Sequence, residues 1–347
     1  MTFANRDAVF QPQEAVTSAL ETMGQRLEEN ESGESVGFSF DLPELRDYLR
    51  PLYPGEFGVI CGLSRNGKSF LLKKGAYLKT MEIYDEGPSN KCVIVMTWEE
   101  SAEILAMNWL ATLSGISSTK MLRGNISRQE FDRINTIAVK VSQYPIYIIG
   151  PSINRGKDGV RRKPDLSMKG VESALEWIMN KQKKDPQLII GDYLQRVPGN
   201  HQKREIHIMQ TVDWFKDLGF WSGAPVLMGS QAKQIIEDRK YPQPRLYDSE
   251  WSANAAQSAD MFLGSWMPKT TFRAGETIDS YAGYHNIEVT PTLMMLGVNK
   301  QKGDMDGFVF PLELQPDLLK WRVATCYYGS DLATAKNRMQ PRKAEFL

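Results

Sequence analysis

Eight consecutive residues carry the clearest chemistry in the chain: Gly62-Leu63-Ser64-Arg65-Asn66-Gly67-Lys68-Ser69 satisfy the spacing GxxxxGK[ST] in full. Ordinary residue usage produces that pattern by accident in roughly one chain in a hundred of this length. Each part has a physical task. The glycines let backbone N–H groups curl around phosphate oxygens, and the start of a following helix adds partial positive charge. The Lys68 ammonium reaches β- and γ-phosphates, and the Ser69 hydroxyl ligates Mg²⁺. Gly62, Ser64, Arg65, Asn66, Gly67, Lys68 and Ser69 therefore form the candidate nucleotide-binding set, with ATP and Mg²⁺ as the implied cofactors.

Hydrolysis at such a loop needs an acid beside the metal and a base for the attacking water. The apolar run 188–191 ends in Asp192, which suits the metal-side acid. A second run, 93–96, leads into Thr97-Trp98-Glu99-Glu100-Ser101. One of its two glutamates is placed to polarise water and the other is a charge at the start of a helix. Their spacing does not say which is which. A third run, 226–229, ends in Ser230-Gln231, where a side-chain amide is placed to sense a γ-phosphate.

These residues sit at the ends of short β-rich runs, 57–60, 92–96, 146–149, 188–190 and 226–228, separated by helical stretches at 69–84, 101–115 and 169–184. Strands alternating with helices predict an α/β fold with a mostly parallel sheet flanked by helices. Runs at 293–298 and 308–314 predict a further strand pair. Upstream, Val16, Leu20, Met23 and Leu27 make one helical stripe within 12–29, followed by an acidic, Gly- and Ser-containing linker. That helix either folds back on its own domain or docks on a neighbouring subunit. The domain reading is a helix and linker over 1–35, a catalytic domain over 36–330 and a tail over 331–347.

With 347 residues, 41% hydrophobic and 24% charged, the composition excludes disorder as the default state. Lys plus Arg and Asp plus Glu are both 42, which excludes nucleic-acid binding by bulk charge but leaves room for a local basic groove. Cys61, Cys92 and Cys326 lack CxxC spacing, which argues against a disulfide scaffold or structural zinc. No apolar stretch reaches the ~18 residues of a membrane helix, and no secretory leader is visible. The expectation is a cytoplasmic protein without a membrane partner.

In order and phrase, PGEFGVICGLSRNGKS, VIVMTWEES, LIIGDYLQRV and PVLMGSQ resemble the RecA-like motor domain of DnaB-type replicative helicases, from about Gly37 to about residue 325. The resemblance implies a RecA-like P-loop NTPase core. It makes Lys68 and Ser69 the phosphate and Mg²⁺ residues, Glu99 the catalytic base, Asp192 the metal-side acid and Gln231 the γ-phosphate sensor. The family's late K-x-R-x-G phrase, whose cations reach the neighbouring subunit's nucleotide, reads Lys300-Gln301-Lys302-Gly303 here. Lysine lacks the planar fork of arginine. The family's D-L-R-E-S phrase is replaced by Asp248-Ser249-Glu250-Trp251-Ser252, and no counterpart of the primase-recruiting N-terminal domain is present in the sequence.

The resemblance also implies a ring of six copies, closed by the N-terminal helix, around single-stranded DNA. Lys203 and Arg204 in one loop, with Lys233, Arg239 and Lys240 in another, then face the DNA backbone as a local basic lining. The basic loop 155–163 contacts nucleic acid or a protein partner, or is a plain surface loop. Two functions follow. One is an ATP-dependent DNA helicase or translocase, with replication or mobile-element proteins as partners. The alternative is an ATP-gated DNA-binding assembly or loading protein with slow hydrolysis. On either reading Glu99→Gln keeps nucleotide binding but lowers ATP hydrolysis by about two orders of magnitude, and Glu100→Gln is much milder. Steady-state phosphate release from the two variants checks the assignment, and a reversed order would shift it by one residue.

Overall fold

A computed structural model describes residues 11–32, 37–40, 42–46, 48–153, 163–199, 204–250, 253–282, 284–303 and 306–324. The strands are β1 (Phe57–Gly62), β2 (Lys91–Thr97), β3 (Ile146–Ile149), β4 (Asp185–Asp192), β5 (Val226–Gln231), β6 (Met261–Trp266), β7 (Thr277–Tyr281), β8 (Tyr284–Glu288), β9 (Leu293–Gln301), β10 (Phe308–Gln315) and β11 (Lys320–Val323). The helices are α1 (Pro12–Ser32), α2 (Pro43–Arg46), α3 (Lys68–Glu86), α4 (Ala102–Ser114), α5 (Ser118–Leu122), α6 (Arg128–Val141), α7 (Met168–Glu176), α8 (Arg204–Ser222) and α9 (Ala253–Ser258).

Nine strands form one sheet in the order β11-β10-β9-β6-β1-β5-β4-β2-β3. The six from β6 to β3 are parallel to one another. From β6 outward, β9, β10 and β11 are each antiparallel to the preceding strand. This is the expected mostly parallel α/β sheet, and its burial explains the unbroken apolar runs. Along β1, Ile60 enters the core beneath α3, whereas Phe57, Val59 and Cys61 enter the core beneath α8. A strand covered on both faces has no polar side to show.

Leu71, Leu72 and Ala76 of α3, with Leu105 and Trp109 of α4, fill the first core. Val171 and Leu175 of α7, with Val212, Phe215 and Leu218 of α8, fill the second. A third cluster packs Ile278 and Ile287 of the β7–β8 hairpin on Trp266.

Met261–Trp266 is short and carries Gly264 in its middle, so its run gives a weak strand signal. It nevertheless forms β6, wedged between β1 and β9. The helical stretch over 169–184 stops at Glu176 and continues as a π-helical turn over Trp177–Lys181. Helix α6 opens on a capping box between Ser127 and Glu130.

The N-terminal helix extends to Ser32, into the stretch read as linker, because its glutamates are good helix formers. Val16, Leu20, Met23 and Leu27 are 57–60% exposed, so the stripe does not fold back on its own domain among the described residues. The Arg26 guanidinium stacks over the Tyr53 ring at 4.4 Å. Cys61 and Cys92 are buried free thiols, and Cys326 lies outside the described residues. No described helix is long and apolar enough to cross a membrane.

Phe262 on β6 is fully buried next to β1. Phe262→Ala is expected to cost roughly 3–5 kcal/mol, measured by urea denaturation of the full chain. A loss below about 1 kcal/mol would show that β6 is not part of the cooperative core.

Candidate nucleotide-binding site

The end of β1 delivers the glycine-rich loop and α3 leaves it. Arg65 (φ 63°) and Gly67 (φ 85°) are left-handed, which turns successive N–H groups to one side. Helix α3 starts at Gly67 without a side-chain cap, so its first-turn N–H groups are open to an anion. At Gly67 an added Cβ would be strained by φ and would lie 2.9 Å from Met294 Sδ. Ser64 and Arg65 are exposed at the mouth of the loop.

Asn66 points the other way. Its side chain is buried, donates to Ser64 O at 3.1 Å, and accepts from Met267 N at 2.6 Å and Thr270 Oγ1 at 3.4 Å. The side chain of Asn66 therefore serves the loop's own structure. Asn66 is an internal staple between the loop and the end of β6.

Lys68 is 7% exposed, and its ammonium donates to Gly62 O (2.8 Å), Leu63 O (2.8 Å) and Gln231 Oε1 (3.2 Å). Burial pushes its pKa down, while the charges of Asp192 and Glu99 are among those holding it up. Gln231 arrives beside the loop because β5 pairs with β1 in register, Gly62 opposite Gln231. Gln195 locks that strand end. Its Oε1 accepts from Gln231 N at 3.0 Å, and its Nε2 donates to Gln231 O at 3.3 Å and Ser230 Oγ at 3.2 Å. Sequence reasoning gives Gln195 no role. Its place in the DYLQ phrase is the signal that could have found it.

Asp192, at the end of β4, is 7% exposed and accepts a hydrogen bond from the Ser69 side chain. Burial raises its pKa, and the negative charge of Glu100 adds to the rise. Its Oδ1 is buried without a hydrogen-bond partner among the described residues. A buried carboxylate oxygen next to a hydroxyl fits a hard divalent cation that takes its other ligands from phosphates and water. Among the described residues no group of three or more acidic, His or Cys side chains is arranged to hold a metal ion.

The two glutamates part company. Glu99 is exposed, and its Oε1 lies 4.0 Å from Arg196 Nη2. Glu100 turns inward and pairs with Lys73 of α3 at 2.5 Å. Its carboxylate serves that ion pair, not a helix start.

Lys300 and Lys302 are not brought to this site. Lys300 lies opposite Phe262 and Gln301 opposite Met261, at the end of β6 that pairs with Gly58, whereas the phosphate loop leaves β1 at Gly62. Lys300 Nζ donates to Ala256 O (2.9 Å) and Gln257 O (3.0 Å), and Lys302 Nζ lies 3.5 Å from Asp260 Oδ1.

Among the basic loop residues, Arg239 makes a two-pronged pair with Asp248 at 2.5 and 2.8 Å, and Lys233 Nζ donates to Tyr247 O at 2.8 Å. Both shape the loop that follows β5. Arg204 and Lys240 are exposed, with Lys240 over the Tyr241 ring, and Lys203 and most of the 155–163 loop lie outside the described residues. At the loop end of the sheet's outer strands a cavity of about 520 Å³ opens between Thr292, Glu313, Gln315, Lys320 and Arg322. Leu314, also on its wall, approaches within 3.9 Å of a Cβ built on Gly67.

Asn66→Ala strands the buried Met267 N–H. We expect a loss of roughly 1–3 kcal/mol of stability, read by denaturant titration. An unchanged midpoint would remove Asn66 as the loop's staple.

The sequence matches the DnaB-like helicase C terminal domain over residues 37–272. It is 26% identical over 231 residues to the replicative DNA helicase DnaB of Buchnera aphidicola subsp. Schizaphis graminum, covering 66% of this chain and 46% of that protein. It is 22% identical over 258 residues to a probable plasmid replicative DNA helicase of Chlamydia trachomatis, covering 74% of this chain and 53% of that protein. A 26% match to the Synechocystis DnaB helicase covers 46% of this chain and 17% of that one. The chain thus spans about half or less of these curated relatives. The fold is that of a DnaB-like replicative helicase solved in a study of its interactions with primase (TM-score 0.67, 18% identity, 89% of this chain and 70% of that one). It is also that of a second solved structure, an ATPase domain on its own (TM-score 0.66, 16% identity, 89% of this chain and 98% of that one), so the core is RecA-like. With the profile covering most of its length, the chain belongs to the DnaB-like helicase C-terminal domain family.

Proposed function

We propose that the chain is the ATP-driven motor of a DnaB-type helicase, a ring of six copies that translocates on single-stranded DNA in the cytoplasm. Residues 36–330 are the motor domain, 1–35 the helix and linker that bridge to a neighbour, and 331–347 a tail. The observation that carries the reading is the convergence of Lys68, Gln231 and the Ser69–Asp192 pair on one left-handed loop.

In this reading the loop N–H groups and Lys68 take up the β- and γ-phosphates, and Lys68 exchanges its carbonyl partners for phosphate oxygens. Ser69 and Asp192 hold Mg²⁺, which supplies charge neutralisation to the phosphates when bound. Glu99 accepts the proton of the attacking water, and Gln231 relays the state of Lys68 to β5. The cavity beside Leu314 is placed to take the base. Lys300 and Lys302, at the opposite end of the sheet, face a neighbour's nucleotide instead of their own. The exposed stripe of α1 suits a neighbouring copy, since burying four such side chains contributes about 6–10 kcal/mol before ordering costs. Arg204, Lys233, Arg239 and Lys240 then face the DNA path, as does the stretch that carries Lys203 in sequence.

One observation favours the second reading, an ATP-gated loader with slow turnover. Lysine stands where the family has arginine, and both late lysines are engaged with acceptors of their own chain.

The test is ATP hydrolysis by the full chain with and without single-stranded DNA, beside Lys68→Ala and a truncation starting at Gly37. DNA-stimulated turnover, abolished in Lys68→Ala, with a ring that the truncation loses by light scattering, is the expected result. Slow turnover with ATP-dependent assembly supports the loader. Unchanged turnover in Lys68→Ala would overturn the nucleotide site.

A further inference from the structure

Glu99 has little of its own to hold it. Its side chain is 47% exposed, and an arginine 4.0 Å away contributes little at the surface. Its position is therefore set by the segment that carries it. Trp98 N donates to Asp192 O at 3.1 Å, and Trp98 Nε1 donates to Leu166 O at 2.8 Å. The Thr97 hydroxyl closes a tight turn, donating to Glu100 O at 2.9 Å and accepting from Glu100 N at 3.1 Å. These bonds tie the segment to β4, to the chain before α7 and to itself. None of them reaches the phosphate loop or its helix.

The Lys73–Glu100 pair does. Lys73 lies five residues after Lys68 on α3, so about 7.5 Å along the helix separates it from the phosphate-binding lysine. Its ammonium meets Glu100 at 2.5 Å, with the two side chains only 15% and 30% exposed, where solvent screens an ion pair poorly. This pair is a polar link between α3 and the Thr97–Ser101 segment. A general base misplaced by about 1 Å can lose two orders of magnitude in rate, so a link of this kind has catalytic weight without touching substrate.

We propose that Lys73 and Glu100 are a positioning pair that fixes the Glu99-bearing segment to the phosphate-loop helix. The inference rests on the hydrolytic reading above. It also separates the two adjacent glutamates by task, Glu99 toward water and Glu100 toward the helix.

The experiment measures kcat and KM for Mg·ATP in the full chain with single-stranded DNA, for Lys73→Met, Glu100→Gln, the double variant and Lys73→Arg. Thermal midpoints and binding of a non-hydrolysable ATP analogue are read alongside. Each single change is expected to lower kcat by roughly 10-fold, with KM and analogue binding within about 2-fold. The double variant should be no worse than the poorer single one, since both remove the same link. Lys73→Arg, which keeps the charge pair, should recover most of the rate. Unchanged kcat in both single variants, effects confined to KM, fully multiplicative losses in the double variant, or losses that track the thermal midpoint would each overturn the pair. A wild-type chain without turnover overturns the hydrolytic reading itself, and the pair with it.

Discussion

A lysine ammonium leaves water only where oxygens replace its hydration. Lys68 has three such oxygens, from Gly62, Leu63 and Gln231. Much of the molecule serves that arrangement. Two carbonyls converge because the loop curls through left-handed Arg65 and Gly67, and the curl is anchored by Asn66 from within. The third oxygen is on time because β5 lies beside β1 with Gln231 level with Gly62. A slip of one residue would turn Gln231 to the other face. The Lys68 ammonium is thus held in a neutral cradle of three oxygens.

Opposite charge is balanced two strands away. Asp192 sits at the end of β4 with little exposure, and an unaccompanied carboxylate there would be costly. The Ser69 hydroxyl, Lys68 and Lys73 favour its charged form, while burial and Glu100 oppose it. The end of the parallel sheet thus gathers opposed charges, Lys68 and Lys73 against Asp192 and Glu100.

The legible part of this in sequence was the part that lives in contiguous phrases. The run Gly62–Ser69, Asp192 after 188–191 and Gln231 after 226–229 each join a strand signal to a reactive residue, and all meet at one end of the sheet. What stayed hidden depends on contacts distant in sequence. Nothing near Asn66 in the sequence points to Met267, some two hundred positions on, whose N–H its oxygen accepts. Glu100 looks like a helix charge until Lys73 is seen beneath it. Arg239 looks like an exposed cation, but Asp248 lies across the same loop. Strand β6 hid for another reason: six residues around a glycine carry little periodicity, and its place was decided by neighbours on both sides.

Strand β9 touches both ends of the subunit's chemistry. Met294, near its start, sits against Gly67 of the phosphate loop, and Lys300 and then Lys302 stand at its finish. Six residue steps of extended chain measure about 20 Å, and hydrogen bonds to β6 and β10 on either side keep that length from changing. The strand is a spacer of fixed gauge between the glycine-rich loop and the lysines at its far end. In the ring proposed above, that gauge would fix how far each copy's own loop stands from the lysines it turns toward the next copy.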